Sequence, residues 1–394
     1  MLDNFNFSRT PELYFGAGSF SGLPGIINRF GKKALVVTGG SSFKESGRMD
    51  ILSGAFKELS INAEFLTVKR EPTPEIVDET VSQFRTAGID VICSIGGGSV
   101  VDAGKAVSAM YLQDGSVFDY LEGVGTGKKH NGRKIPFIAV PTTAGTGSEA
   151  TKNAVLSRVG SGGFKKSLRH ENLVPDVAVI DPGLALSCPR DVTAYSGMDA
   201  FTQLLESYVS TKSNALTDAL CESGLLYIIN NLAHACSTGS GDAAIRSAMS
   251  YAAYLSGIAL ANAGLGTVHG FASSVGSLYD IPHGVVCGTL LGETVKTTIK
   301  KLQEEDSAEN NALIKYAKIG SYFAGNSGGD TEYLCNLLIE NIMNWTEELE
   351  IPLLSWFGVS SMDFDNIIEN TSNKNNPVEL DENDLKQILG SRIE

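Results

Sequence analysis

The chain has 394 residues, too many for one ordinary hydrophobic core, so two domains are expected. Hydrophobic residues make up 42% and charged residues 19%, as in a globular protein, and a net charge of −14 argues against nucleic acid or an anionic membrane surface as partner, since phosphates demand basic side chains. No run reaches ~18 apolar residues, so no transmembrane helix is expected, and Met1-Leu2-Asp3-Asn4-Phe5 has neither the basic nor the apolar part of a signal peptide.

The first ~185 residues alternate β-type apolar runs with helical spacing, the pattern of βαβ units. Ala34–Thr38 reads as a short strand, 49–59 as a helix, and 63–68 as a strand. The segment 75–87 reads as a helix with Thr73 as its N-cap and Pro74 in its first position. Ile89–Ile95 is a strand, 100–111 a helix, 135–140 and 177–180 two further strands, with Asp181-Pro182 ending the series. Strands separated by helices indicate a parallel, doubly wound sheet.

After about residue 187 the alternation gives way to helical spacing over 192–209, 215–236, 242–263, 312–324, 334–349 and 382–389. The expected organisation is therefore an α/β dinucleotide-binding domain over 1–186 and an all-helical domain over 187–394. The stretches 302–310 and 371–377 read as solvated surface loops. The six cysteines, Cys93, Cys188, Cys221, Cys236, Cys287 and Cys335, are widely spaced and form no C-x-x-C pair. They read as reduced thiols of a cytoplasmic protein, and no cysteine-based zinc site is expected.

Three features carry chemistry. The first is Ile95-Gly96-Gly97-Gly98-Ser99 at a strand-to-helix turn. There the backbone can approach a bulky anion, and a helix start points free N–H groups and partial positive charge at it. The pyrophosphate of a dinucleotide is the obvious anion. The second is Pro141-Thr142-Thr143-Ala144-Gly145-Thr146-Gly147-Ser148-Glu149, a loop of small residues and hydroxyls after a strand, placed to offer donors at the carboxyl end of a sheet. The third is a set of metal-type ligands in the helical half. Asp199 and Gln203 share a helix face, His269 lies in an apolar, helical-looking stretch, and His283 sits in a Pro-His-Gly turn. Asp plus two His leaves an open position for substrate on a divalent metal. His130, His170 and His234 are given no role.

Taken in order, these stretches resemble the iron-containing (group III) alcohol dehydrogenase family. The likeness rests on Phe15-Gly16-Ala17-Gly18, Gly96–Lys105, Pro141–Glu149, Asp181-Pro182, Gly197-Met198-Asp199-Ala200, Val268-His269-Gly270, Pro282-His283-Gly284 and, at the tail, Asn376-Pro377 and Asp384-Leu385. It covers nearly the whole chain. It implies an α/β dinucleotide-binding domain and an all-α metal-binding domain, the dehydroquinate synthase-like architecture. By resemblance Gly96, Gly97, Gly98 and Ser99 hold the pyrophosphate, with Asp102 on the same motif, Thr142, Thr143 and Thr146 line the nucleotide path, and Asn153 and Lys165 are further cofactor contacts.

The family's metal ligands map onto Asp199, His269 and His283. Its usual fourth ligand, a histidine, is Gln203 here, a weaker ligand, and the histidine commonly proposed to relay a proton is Ser273. Asp/His/His sites occur among relatives that use zinc, so Fe²⁺ and Zn²⁺ are both expected candidates. After the strand at Val36-Val37, Gly39, Gly40 and Ser41 stand, with Lys44 nearby, where NAD-preferring relatives carry an Asp at the Gly39 position. Without that carboxylate to repel a 2′-phosphate, NADP(H) is expected to be favoured over NAD(H).

The expected function is hydride transfer between NAD(P)(H) and a small alcohol or aldehyde by a metal-dependent, cytoplasmic homodimer or higher homo-oligomer. Asp199, His269, His283 and Ser273 are its expected catalytic residues. Two alternatives share the scaffold. One is a non-redox lyase or cyclase of the dehydroquinate synthase type that uses NAD transiently, disfavoured by the scarcity of Lys and Arg around the expected cleft. The other is an inactive nucleotide-binding relative.

Overall fold

A computed structural model describes residues 4–305, 310–325 and 328–393. The chain divides into two compact units, one of residues 8–158 and 163–188, the other of residues 189–393 with 4–7 and 159–162.

In the first unit the chain runs β1 (Glu12–Phe15), α1 (Leu23–Phe30), β2 (Lys33–Thr38), α2 (Ser42–Glu45), α3 (Arg48–Glu58), β3 (Asn62–Thr67), α4 (Pro74–Phe84), β4 (Val91–Gly96), α5 (Gly98–Met110), β5 (Phe137–Pro141), β6 (Asn153–Arg158), β7 (Phe164–Arg169) and β8 (Val177–Ile180). Six strands form a parallel sheet in the order β1-β8-β5-β4-β2-β3. Alternate side chains of each central strand feed two cores. Leu35, Val37, Ile92, Phe137 and Ala139 face the layer of α4 and α5. Ala34, Val36, Cys93, Ile95, Ile138 and Val140 face the layer of α1 and α3. Burial on both faces is why these strands read as unbroken apolar runs. The connections leaving β2 and β4 go to opposite sides, so the sheet's switch point lies between these neighbours, where an open α/β sheet opens its ligand crevice.

Several elements of this unit were not expected from the sequence. β1 is a four-residue edge strand paired with β8, and α1 follows it. The segment 153–169 is an antiparallel hairpin, β6 with β7, paired from Asn153↔Arg169 to Arg158↔Phe164. Thr73 does cap α4, its hydroxyl accepting from the Ile76 amide.

The second unit is helical: α6 (Arg190–Val209), α7 (Ala215–Ala235), α8 (Ala243–Ala263), α9 (Thr267–Leu278), α10 (His283–Glu304), α11 (Asn311–Phe323), α12 (Thr331–Glu348), α13 (Phe364–Glu369) and α14 (Glu382–Gly390). It contains no strand among the described residues, and among the described residues of the protein no helix is long and apolar enough to cross a membrane. Side-chain caps set several helix starts: Asn214 with Thr217 at α7, Asp242 at α8, and Asp381 with Asp384 at α14. From Gly197 to Val209 every residue of α6 is buried, which makes it the central helix of this unit.

Two sequence readings are corrected here. His283 does not lie in a turn; it is the first residue of the 22-residue α10, with Pro282 before it at the N-cap. The expected loop at 302–310 is helical through Glu304, and residues 306–309 lie outside those described. The segment 371–377 is a loop as expected but a packed one: a Cβ at Gly270 of α9 would come within 2.1 Å of the Ser372 carbonyl oxygen, and the Asn375 amide donates to the Leu265 carbonyl.

Candidate metal centre and nucleotide site

Three helices build the metal-type cluster. On α6, Asp199, Gln203 and Glu206 stand at i, i+4 and i+7, hence on one face. α9 contributes His269 from its first turn, and α10 contributes His283 and, one turn later, Cys287. The approach of α10 to α6 needs Gly284, where a Cβ would fall 2.1 Å from the Tyr195 carbonyl oxygen. Ligand atoms of Asp199, His269, His283 and Cys287 all lie within 4.8 Å of one another. Asp199 Oδ1 is 3.3 Å from His269 Nε2 and 3.6 Å from His283 Nε2, and Cys287 Sγ is 3.8 Å from His269 Nε2.

The donor set fits a divalent cation. Asp199 is 2% exposed, and its Oδ1 has no hydrogen-bond partner among the described residues. A buried carboxylate oxygen left that way is costly unless a cation takes it up. Donors about 2.0–2.2 Å from a tetrahedral metal stand roughly 3.3–3.6 Å apart, the spacing of Asp199 from the two imidazoles. Burial works against the charge on Asp199, yet His283 and His269 hold its carboxyl below the usual range. Burial likewise opposes charge on His269, but Cys287, Asp199 and Glu206 raise it well above an ordinary imidazole. Burial pushes the Cys287 thiol up to about 12. This is a pocket of strong negative potential around two imidazoles, as a cation requires. The side chain of His283 retains 26% exposure against 3% for Asp199, which puts the accessible side of the cluster at His283.

Glu206 orients the first of these imidazoles, and sequence reasoning missed it. Its Oε2 lies 2.6 Å from His269 Nδ1, and its Oε1 accepts from the Val268 amide at 2.7 Å. A carboxylate only accepts, so Nδ1 carries the proton, and Nε2 would offer its lone pair to a bound metal. Glu206→Gln has one oxygen for two donors and must turn an NH₂ toward one of them. Metal affinity is expected to fall about 10–100-fold, measured by chelator competition.

In the α/β unit the glycine turn leaves its backbone open. Gly97 is the N-cap of α5 and no side chain caps it. Gly97, Gly98 and Ser99 stay half-exposed between buried neighbours. A Cβ on Gly98 would come 2.5 Å from Thr146 Cγ2, so the threonine loop lies directly against the turn, and the Thr142 amide donates to the Gly96 carbonyl. Gly39, Gly40 and Ser41 follow β2 as Gly97 follows β4. The three predicted cofactor segments after β2, β4 and β5 thus share the carboxyl edge of one sheet, two of them flanking its switch point.

Comparison with known proteins agrees with both halves. The family description "Iron-containing alcohol dehydrogenase" matches residues 10–182, and "Fe-containing alcohol dehydrogenase family, C-terminal" matches 193–393. This chain belongs to the iron-containing alcohol dehydrogenase family. It is 32% identical to NADPH-dependent butanol dehydrogenase of Clostridium saccharobutylicum, covering 97% of this chain and 96% of that protein. It is 34% identical to 1,3-propanediol dehydrogenase of Citrobacter freundii, over 85% and 83% of the two. The crystal structure of a 1,3-propanediol oxidoreductase superposes with a TM-score of 0.87 at 30% identity, covering 99% of this chain and 100% of the other.

Several predicted residues of this family member are occupied otherwise. Gln203 Oε1 accepts from the Ser256 hydroxyl at 2.6 Å. The Ser273 hydroxyl donates to the His269 carbonyl one turn back, at 3.0 Å. Asp102 accepts from the Ser148 hydroxyl and, at 3.2 Å, from the Val155 amide, which ties α5 to β6. Asn153 and Lys165 lie on the hairpin: Asn153 reaches Ser167 Oγ at 3.4 Å and Lys165 pairs with Glu71. Cys287 was read only as one of the reduced thiols, with no cysteine-based metal site expected. The signal that could have found it is its i+4 spacing from His283, hidden while His283 was placed in a turn.

Proposed function

We propose that this chain transfers a hydride between NADP(H) and a small alcohol or aldehyde, with Asp199, His269 and His283 holding the divalent metal. The observation that carries the reading is the convergence of these three side chains around the orphaned Asp199 oxygen, in a chain that matches the family along both units. When bound, the metal supplies Lewis acidity at the substrate oxygen. The protein's own residues do the rest. The α5 N-terminus and Gly96–Ser99 bind the pyrophosphate, and the hydroxyls of Thr142, Thr143 and Thr146 line the nucleotide path. Asp102, Asn153 and Lys165 support that site from α5 and the hairpin. The nicotinamide, when bound, would supply the hydride acceptor for alcohol oxidation, and the substrate hydroxyl would have to lose its proton. Ser273, committed to the His269 carbonyl, is a poor base, so proton release does not rest on its hydroxyl. The dehydroquinate synthase-type reading finds no support among the relatives. Mostly buried cysteines with no C-x-x-C pair favour a reducing cytoplasm, and the family resemblance favours a homodimer.

The test is metal analysis of anaerobically purified protein followed by a screen of aldehydes for NADPH oxidation. Turnover that tracks metal content supports the reading; nucleotide binding with neither metal nor turnover overturns it. The preference for NADP(H) has its own test. No carboxylate stands at Gly39, and a Cβ there would make only ordinary contact, 3.6 Å from Val100. Gly39→Asp therefore fits the fold and sets a negative charge where a 2′-phosphate would lie. The ratio of kcat/KM for NADPH over NADH is expected above one in the native chain and lowered about tenfold or more by Gly39→Asp. A native preference for NADH would refute it.

A further inference from the structure

The cluster contains a side chain that the proposed ligand set does not use. Cys287 is fully buried, one turn beyond His283 on the same face of α10, and its sulfur lies 3.8 Å from His269 Nε2. It lies within 4.8 Å of the ligand atoms of Asp199 and His283 as well. Gln203, which shares the Asp199 face of α6, has its amide oxygen engaged by the Ser256 hydroxyl at 2.6 Å. A thiolate at about 2.3 Å and an imidazole at about 2.0 Å from one tetrahedral metal stand roughly 3.5 Å apart, close to the separation found here.

We infer that Cys287, not Gln203, is the fourth protein ligand, making an Asp/His/His/Cys site. The inference rests on the metal reading of Asp199, His269 and His283. Two independent observations meet at one point: the buried, unpartnered Asp199 oxygen and a buried sulfur facing the same imidazole. The thiol gives up its proton on binding, so metal uptake releases one proton from Cys287. A thiolate is a soft donor, and with two imidazoles it selects zinc or cobalt over iron(II). The cluster retains exposure on the His283 side, where substrate would reach the metal.

The experiment loads the metal-free full-length protein with cobalt(II) and records its absorption spectrum. A sulfur ligand produces an intense near-ultraviolet charge-transfer band, which nitrogen and oxygen ligands do not. The native chain should show that band together with the visible ligand-field bands. Cys287→Ser should keep the ligand-field bands, lose the charge-transfer band and bind zinc at least about tenfold more weakly, whereas Gln203→Ala should keep both sets of bands. Ligand-field bands without charge transfer in the native chain would overturn the sulfur ligand and leave the metal site standing. No cobalt binding at all would overturn both. Charge transfer that survives Cys287→Ser would place the sulfur elsewhere and sink the assignment. Zinc-edge X-ray absorption of the unmutated protein needs no variant to fold: one sulfur at about 2.3 Å confirms the ligand, and a shell of nitrogen and oxygen alone refutes it.

Discussion

Asp199→Asn should lower kcat/KM for aldehyde reduction by three orders of magnitude or more while leaving the fold intact. Asn matches Asp in shape, so α6 keeps its packing. What changes is the charge at the one cluster oxygen with no hydrogen-bond partner among the described residues, 3.3 Å from His269 Nε2 and 3.6 Å from His283 Nε2. A neutral amide oxygen is a far weaker ligand, and Lewis-acid stabilisation of the substrate oxygen is worth several kcal/mol, of which about 4 kcal/mol is about a thousandfold in rate. Metal content and turnover should fall together, while cofactor binding stays within a few-fold of native, because the residues assigned to the nucleotide belong to the other unit. The metal-free variant should be less stable than the metal-free native chain, since the charge that faces His269 and His283 has been removed. Native metal content with native activity would show that the ligands lie elsewhere.

The sheet was legible because its central strands are buried on both faces and so carry continuous apolar runs such as Val36-Val37 and Ile138-Ala139-Val140. The hairpin was not. β7 is Phe-Lys-Lys-Ser-Leu-Arg, a charged ribbon with only Phe164 and Leu168 buried, and charge there masks the period of two. Asp199, His269 and His283 could be named because the resemblance places them. Glu206 and Cys287 could not, for different reasons. Glu206 acts across 63 residues of sequence on His269, a pairing that only the packing of α9 on α6 creates. Cys287 was separated from His283 by a wrong local assignment: a helix N-terminus that begins Pro-His-Gly looks like a turn until the helix behind it is seen. A register error of that kind removes the i+4 relation on which a ligand assignment depends.

Lys105→Met should destabilise the α/β unit by about 3–5 kcal/mol, the cost of breaking a buried charged network by removing one partner. Lys105 is 1% exposed, and its ammonium donates to the Ser148 carbonyl at 2.6 Å, the Asn153 carbonyl at 2.8 Å and Thr151 Oγ1 at 2.9 Å, with Asp102 Oδ1 3.8 Å away. Burial draws its pKa down to about 8. Methionine reproduces the length but none of the donors. Two carbonyl oxygens lose a partner, and Asp102 loses the charge that offsets its own burial, which already pushes its carboxyl upward. The loss should reach function, because this ammonium joins α5, whose N-terminus is proposed to bind the pyrophosphate, to the end of the threonine loop that lies against Gly98. The expected signature is a lower urea midpoint for the α/β unit and a raised KM for NADPH, with metal content unchanged. A Lys105→Met protein that keeps its urea midpoint but loses NADPH binding would instead mean that the ammonium serves the cofactor directly, a role that its enclosure among Ser148, Thr151 and Asn153 opposes.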